Sequence, residues 1–217
     1  MNLTVDCVSD FVCPWCFIGK VRLARALEQL GSTRPGLDVQ VSWLPFFLNP
    51  DTPLAGEPYR AFLEAKFGGA RQADALQARV VEAGAPDGVR FAFERIRTRP
   101  NTLNAHRLSY RFQSLGHPPE QVGTLADALF AAHFQQGRDI GDTATLAEIA
   151  ADAGEDREAA LAYLESDEDA ATVKRMAAQL QAQGITGVPF FIFNRKLAVS
   201  GAQSPSALGA AILESLR

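Results

Sequence analysis

Leu3-Thr4-Val5-Asp6-Cys7-Val8-Ser9-Asp10-Phe11-Val12-Cys13-Pro14-Trp15-Cys16 carries a short apolar run straight into two of the chain's three cysteines. Residues 3–8 read as a buried strand, Ser9-Asp10 as a turn or capping signal, and Cys13 as the threshold of a helix. At a helix start, positions i and i+3 share a face, so the two sulfurs can close a disulfide with little backbone movement. Unpaired amides and the positive end of the helix dipole favour a thiolate on Cys13, the form that attacks disulfides. Cys13 is therefore expected to attack and Cys16 to resolve. Zinc is a competing use of Cys-x-x-Cys, but a tetrahedral site needs four N or S ligands and the rest of the chain offers only Cys7, His106, His117 and His133. No metal is expected; inert structural cysteines are the remaining reading.

Outward from the dithiol, Phe17, Ile18, Val21, Leu23, Leu27 and Leu30 form an apolar stripe at helical spacing that ends at Gly31. Residues 37–47 alternate as a second strand, broken by Asn49-Pro50-Asp51-Thr52-Pro53. Helical patterns then fill segments near 58–67, 70–83, 102–115, 119–136, 143–153, 156–165 and 167–183, punctuated by Gly and Pro. Strand character returns at 188–193 and 197–200 around the polar turn Asn194-Arg195-Lys196, and Ser204-Pro205 opens a last helix. A β-α-β start calls for a right-handed crossover and a parallel pair, with the terminal hairpin extending that sheet antiparallel.

With 217 residues, 47% of them apolar, the chain can bury a full core, and its net charge of −4 provides no basic field for nucleic acid or anionic membranes. No stretch reaches the roughly 18 apolar residues of a membrane helix. The first residues lack a basic n-region, a long apolar h-region and a cleavage site, so a cytoplasmic protein is expected. Disulfides in that compartment are rarely structural, which favours a redox role for the pair.

The order of elements is α/β, a thioredoxin fold with a large all-helical insertion: 1–46 and 186–217 as the thioredoxin-like domain, 47–185 as the insert. The chain resembles the DsbA family of thiol-disulfide oxidoreductases, most closely its FrnE-like intracellular branch. The resemblance rests on residues 9–20 with the dithiol, on Leu48-Asn49-Pro50, on Asn101-Thr102 with Ala105-His106-Arg107-Leu108, on Gly187-Val188-Pro189-Phe190-Phe191-Ile192-Phe193, and on Ser200-Gly201-Ala202-Gln203. Phe47 departs from it, since relatives often carry a polar or acidic residue there. The resemblance implies a cis Val188-Pro189 bond beside the dithiol, leaving the Val188 backbone for an extended substrate. It also implies substrate contacts at Pro14, Trp15, Asn101 and His106, although a lone histidine on an amphipathic helix is more often a core group. Trp15 stands where the family usually has His and cannot supply a positive charge, so a less oxidising couple is expected.

These features imply a protein disulfide reductase or isomerase acting on protein or small thiol/disulfide substrates, with no bound cofactor and with glutathione or a thioredoxin-type reductant as exchange partner. No nucleic acid or membrane partner is expected, and the oligomeric state is open. Kappa-class glutathione transferases and hydroxychromene-carboxylate isomerases share the fold but carry Ser in place of Cys13. A chaperone-like binding module using Trp15, Phe46, Phe47 and Phe190 is the non-enzymatic alternative. Cys7 replaces the buried acid of relatives and reads as a small core residue, leaving Asp10 as the candidate proton relay for Cys16. Arg90, Arg95, Arg97, Arg99, Arg107 and Arg111 read as a solvated face, with capture of an acidic substrate as the competing use. His117 and His133 read as ordinary surface or packing residues.

Overall fold

In the computed structural model, which describes residues 2–217, β1 (Asn2–Ser9) is the central strand on which the dithiol helix is mounted. Its alternate residues Leu3, Val5 and Cys7 are buried while Asn2 and Thr4 are exposed, so the start of the strand packs on one face. The chain turns through Asp10, whose carbonyl accepts the Cys13 amide at 3.0 Å, and enters α1 (Pro14–Thr33). Proline at the first helical position loses no intrahelical bond there, and its φ already suits the helix. The helix runs past Gly31, because Ser32 and Thr33 hydroxyls and the Arg34 amide take the last-turn carbonyls of Glu28, Gln29 and Leu30.

Strand β2 (Asp38–Pro45) pairs parallel with β1, from Asn2 opposite Asp38 to Ser9 opposite Pro45. At the other end of the chain β5 (Phe190–Phe193) pairs antiparallel with β1, and β6 (Leu197–Ser200) antiparallel with β5, giving the order β2-β1-β5-β6. Asn194 and Arg195 take positive φ in the hairpin turn, the hand that matches strand twist. The last helix, α9 (Pro205–Ser215), is capped by the Ser204 hydroxyl on the Ala207 amide and packs on α1.

Between β2 and β5 lie seven helices: α2 (Tyr59–Phe67), α3 (Ala70–Gly84), α4 (Leu103–Ser114), α5 (Pro119–Phe134), α6 (Thr143–Asp152), α7 (Arg157–Glu165) and α8 (Ala170–Ala182). Helix α8 starts three residues later than its apolar pattern, because Asp169 adopts a left-handed conformation at φ 59°. A two-residue ladder the sequence did not announce joins β3 (Glu57–Pro58) to β4 (Thr98–Arg99) and sets Glu57 opposite Arg99.

One hydrophobic cluster runs through both parts of the chain. Its hub is Phe130 of α5, fully buried, whose ring meets Phe11 and Phe17 at 5.3 Å each and Trp43 at 6.2 Å. Phe134 stacks on Phe17 one turn later at 6.1 Å. The insertion thus holds the dithiol helix from its flank. Gly19 of α1 has a separate packing role: a Cβ there would lie 2.9 Å from Pro189 Cγ, so only glycine lets the helix approach the proline loop this closely.

Candidate active site

Cys13 occupies the N-cap of α1 with φ −92° and ψ 112°, and makes no side-chain cap. Its Sγ lies 3.8 Å from the Val188 carbonyl, and the Val188-Pro189 bond is cis. Residues from the two ends of the chain therefore meet at one sulfur, a consequence of β5 lying beside β1. Cys16, one turn into the helix, is 2% exposed. Burial pushes its thiol well above the ordinary range, and the Cys13 side chain adds to that, while the Ser9 side chain and Asp10 backbone oppose it. No disulfide is present, and all three cysteines are free and buried. Cys13 lines a cavity and Cys16 does not, and burial favours the protonated form of Cys16.

Cys7 faces the same core between Trp43 and Phe191 in register, and burial holds its thiol far above the usual range with Asp6 adding to the effect. That is the environment of an inert core cysteine.

Asp10 is 1% exposed and caps no helix end; Oδ2 accepts the Leu48 amide at 2.9 Å, and Oδ1 lies 3.4 Å from His106 Nε2 with no hydrogen-bond partner among the described residues. His106 is equally enclosed: Nε2 is 3.2 Å from the Phe46 carbonyl, and its ring lies 5.1 Å from both Phe11 and Phe47. The structure therefore places His106 in the core beside Asp10, outside the lining of the cavity at Cys13. Asn101 lies outside the cavity at Cys13 and lines another one with Asn49 and Leu103. Its amide donates to the Thr52 carbonyl at 2.7 Å and its side-chain oxygen accepts the Leu103 amide at 3.0 Å, so it ties the 47–54 loop to the start of α4.

Pro14, Trp15 and Val188 line, with Cys13, a cavity of about 380 Å³ whose wall also includes residues of α2 and α3. Trp15 is 38% exposed at its mouth. The lining also takes in Tyr59, Phe62, Leu63 and Lys66 of α2, which the sequence reading passed over, together with Arg99 of β4, read there as part of a solvated face with acidic-substrate capture as its competing use, and His133 of α5, read as a surface or packing residue. A signal for α2 existed. Residues 59, 62, 63, 66 and 67 lie on one helical face, yet none of the helix is fully buried, so its apolar stripe borders space instead of core.

The arginine run does not form one solvated face. Arg99 is buried in an ion pair with Glu57 and stacks 3.6 Å over the Phe62 ring; Arg107 is buried among the Tyr163, Leu164, Ser166 and Glu168 carbonyls; Arg111 pairs with Glu155 at 2.6 Å.

His133, expected at the surface or in packing, is 1% exposed, and its Nδ1 has no partner among the described residues. Burial pushes its pKa from 6.5 down to about 4, against the pull of Asp10 and the Arg138 backbone. The unfolded chain takes up a proton here near pH 6.5 and the folded chain only near pH 4, so the stability it contributes is complete above pH 6.5 and declines towards pH 4. The loss across that window should be about 3 kcal/mol. Urea titrations at neutral pH and near the lower end should show it, and His133→Gln should flatten the difference; an unchanged pH slope in that variant rules out His133 as its source.

Among the described residues, no helix is long and apolar enough to cross a membrane, and no three His, Cys, Asp or Glu side chains are grouped to hold a metal. The DSBA-like thioredoxin domain family matches residues 4–213. Among solved structures, the "probable DsbA oxidoreductase SCO1869" of Streptomyces coelicolor is 30% identical at a TM-score of 0.84, covering 99% of this chain and 90% of that one. The cytosolic disulfide reductase DsbM of Pseudomonas aeruginosa, solved with GSH, is 18% identical at a TM-score of 0.67 with 99% of each chain covered, a likeness of fold. The uncharacterized YwbO of Bacillus subtilis (strain 168) is 26% identical over 198 residues, spanning 88% of this chain and 87% of its own.

Proposed function

The chain belongs to the DSBA-like thioredoxin domain family, and from that premise we propose that it is a thiol-disulfide oxidoreductase of the reductase or isomerase type, using Cys13 and Cys16 as its redox dithiol. The observation that carries this reading is the asymmetry of the pair. Cys13 sits at the mouth of a cavity beside the Val188 carbonyl, while Cys16 lies one turn deeper with its thiol form favoured by burial.

The Cys13 thiolate attacks one sulfur of a substrate disulfide, forming a mixed disulfide and expelling the other sulfur as a thiolate. Cys16 then gives up its proton and attacks Cys13 Sγ, closing Cys13–Cys16 and releasing the second substrate thiol. Asp10, whose backbone lies against the Cys16 thiol and whose buried carboxylate has an unpartnered Oδ1, serves as the relay for the Cys16 proton. The cis Val188-Pro189 segment supplies backbone to align a substrate next to Cys13. A second pass needs two electrons from a thiol reductant, glutathione or a thioredoxin-type protein. A protein of this fold described as a cytosolic disulfide reductase supports a cytoplasmic setting.

Wild type, Cys13→Ser and Cys16→Ser should be compared in insulin-disulfide reduction and in refolding of a scrambled substrate in glutathione buffer. Turnover should require both cysteines. Activity surviving Cys13→Ser would favour a binding module, and conjugation or isomerisation of a small electrophile surviving Cys16→Ser would favour the glutathione-dependent alternative.

Trp15→His should make the couple more oxidising. An imidazolium near the start of α1 would stabilise the reduced state, which the indole cannot do, and a gain of about 30 mV corresponds to about 1.4 kcal/mol. Equilibration against glutathione measures it, and an unchanged or lower potential counts against the electrostatic account.

A further inference from the structure

Building on that reading, we propose that the cavity beside Cys13 is the binding site of a small thiol or disulfide with an apolar body, a carboxylate and no amino group. Its anion rests on Arg99 and Lys66 and its sulfur meets Cys13. The cavity, at about 380 Å³, is the size of small-molecule sites.

Arg99 identifies the ligand's polar end. It is 5% exposed, Glu57 occupies its Nη1, and Nη2 finds no hydrogen-bond partner among the described residues although the side chain lines the cavity. Burial acts against its charge. A buried charged donor without an acceptor is costly, and a carboxylate is the acceptor whose geometry suits a guanidinium. Lys66 stands on the rim, its Nζ 2.9 Å from Asn49 Oδ1 and 5.3 Å from the Phe62 ring centroid, and burial and Arg99 both act against its charge. An incoming anion relieves both cations.

The remaining walls define the rest of the molecule. Leu63, Leu76, Val80 and Phe93 present apolar surface, which suits an aryl or branched aliphatic body. Among the described residues lining the cavity none is acidic, and the adjacent Glu57 is already paired with Arg99, so an ammonium group would meet two cations and no free carboxylate. That weighs against glutathione as the occupant. A peptide segment fits poorly too, because its amides and carbonyls would be buried against a wall with few polar partners.

In the reaction this site supports, Cys13–S⁻ and R–S–S–R′ give Cys13–S–S–R and R′–S⁻. Cys16, deprotonated, then displaces R–S⁻ from Cys13. Two thiols leave, the enzyme is oxidised to its disulfide, and an external thiol reductant restores it.

Single-turnover oxidation of the pre-reduced protein tests the proposal with dithiobis(nitrobenzoate), an aryl disulfide carrying carboxylates, and neutral dithiodipyridine, each normalised to its rate with free mercaptoethanol. The normalised ratio should favour the carboxylate probe in the wild type. It should fall about tenfold in the Glu57→Gln/Arg99→Met double variant, which leaves no orphaned acid, and about threefold in Lys66→Met. Arg71→Met, on the exposed start of α3, should leave it unchanged and so removes general surface charge as the cause. If the double variant does not fold, Lys66→Met decides. Equal losses with both probes, an unchanged ratio, or glutathione disulfide reacting as fast as the aryl carboxylate with the same dependence on Arg99 would overturn the proposal. A wild type that oxidises readily with dithiodipyridine but shows no carboxylate preference sinks this inference alone, whereas one inert to every disulfide sinks the oxidoreductase reading with it.

Discussion

Replacing Cys16 by Ser leaves a protein that attacks disulfides and then stays attached to them. In that variant Cys13 keeps its place at the N-cap of α1 and its access to the cavity, while the residue that would displace the adduct is gone. Mixed disulfides with glutathione or substrate should accumulate on Cys13 towards one per chain. Cys13→Ser should trap none and should slow exchange on the order of 10³-fold, because a serine hydroxyl is a far weaker nucleophile and the remaining thiol is buried. Intact-protein mass spectrometry with peptide mapping reads both outcomes. Adducts forming on Cys16 in Cys13→Ser at the wild-type rate would reverse the two roles.

Phe130→Ala should be the most destabilising single truncation, at about 3–5 kcal/mol. The ring is fully buried and meets Phe11 ahead of the dithiol, Phe17 just after it and Trp43 on β2. Removing it opens a void where the inserted helices and the sheet share one core, and the surrounding rings, held by their own neighbours, can close it only in part. Urea denaturation should show a lower midpoint with an unchanged slope. Trp43 fluorescence and far-ultraviolet circular dichroism should still change together, since the cluster is continuous. A loss below about 1 kcal/mol, or two separate transitions in the wild type, would contradict a shared core.

The features legible in the sequence are those whose determinants lie close together along the chain. The strand before Cys13, the Pro14 helix start, the hairpin around Asn194-Arg195 and the Ser204 cap each depend on a few neighbouring residues, and local sterics and hydrogen bonding leave them little choice. The dithiol was readable for the same reason: three positions of spacing decide whether two sulfurs share a helical face. The parallel β1–β2 pair and the antiparallel hairpin followed too, since a β-α-β start and a terminal hairpin allow few arrangements, while the structure decided that the hairpin joins β1.

What surrounds the dithiol was not legible in this way. A family pattern singled out His106 and Asn101, but their neighbours came only with the packing of α4, which buries His106 against Asp10 and ties Asn101 to the Thr52 carbonyl. Arg99 looked like one basic residue among six, and became a buried donor only when β3 paired with β4 and brought Glu57 and Phe62 around it. His133 and the apolar stripe of α2 acquired meaning only when they closed over Cys13. By itself the sequence determined that two cysteines three positions apart open a helix mounted on a thioredoxin-type sheet. Tertiary structure alone decided which side chains face that pair, because burial, charge pairing and the shape of a cavity depend on residues far apart in the chain, and no local pattern encodes their distance.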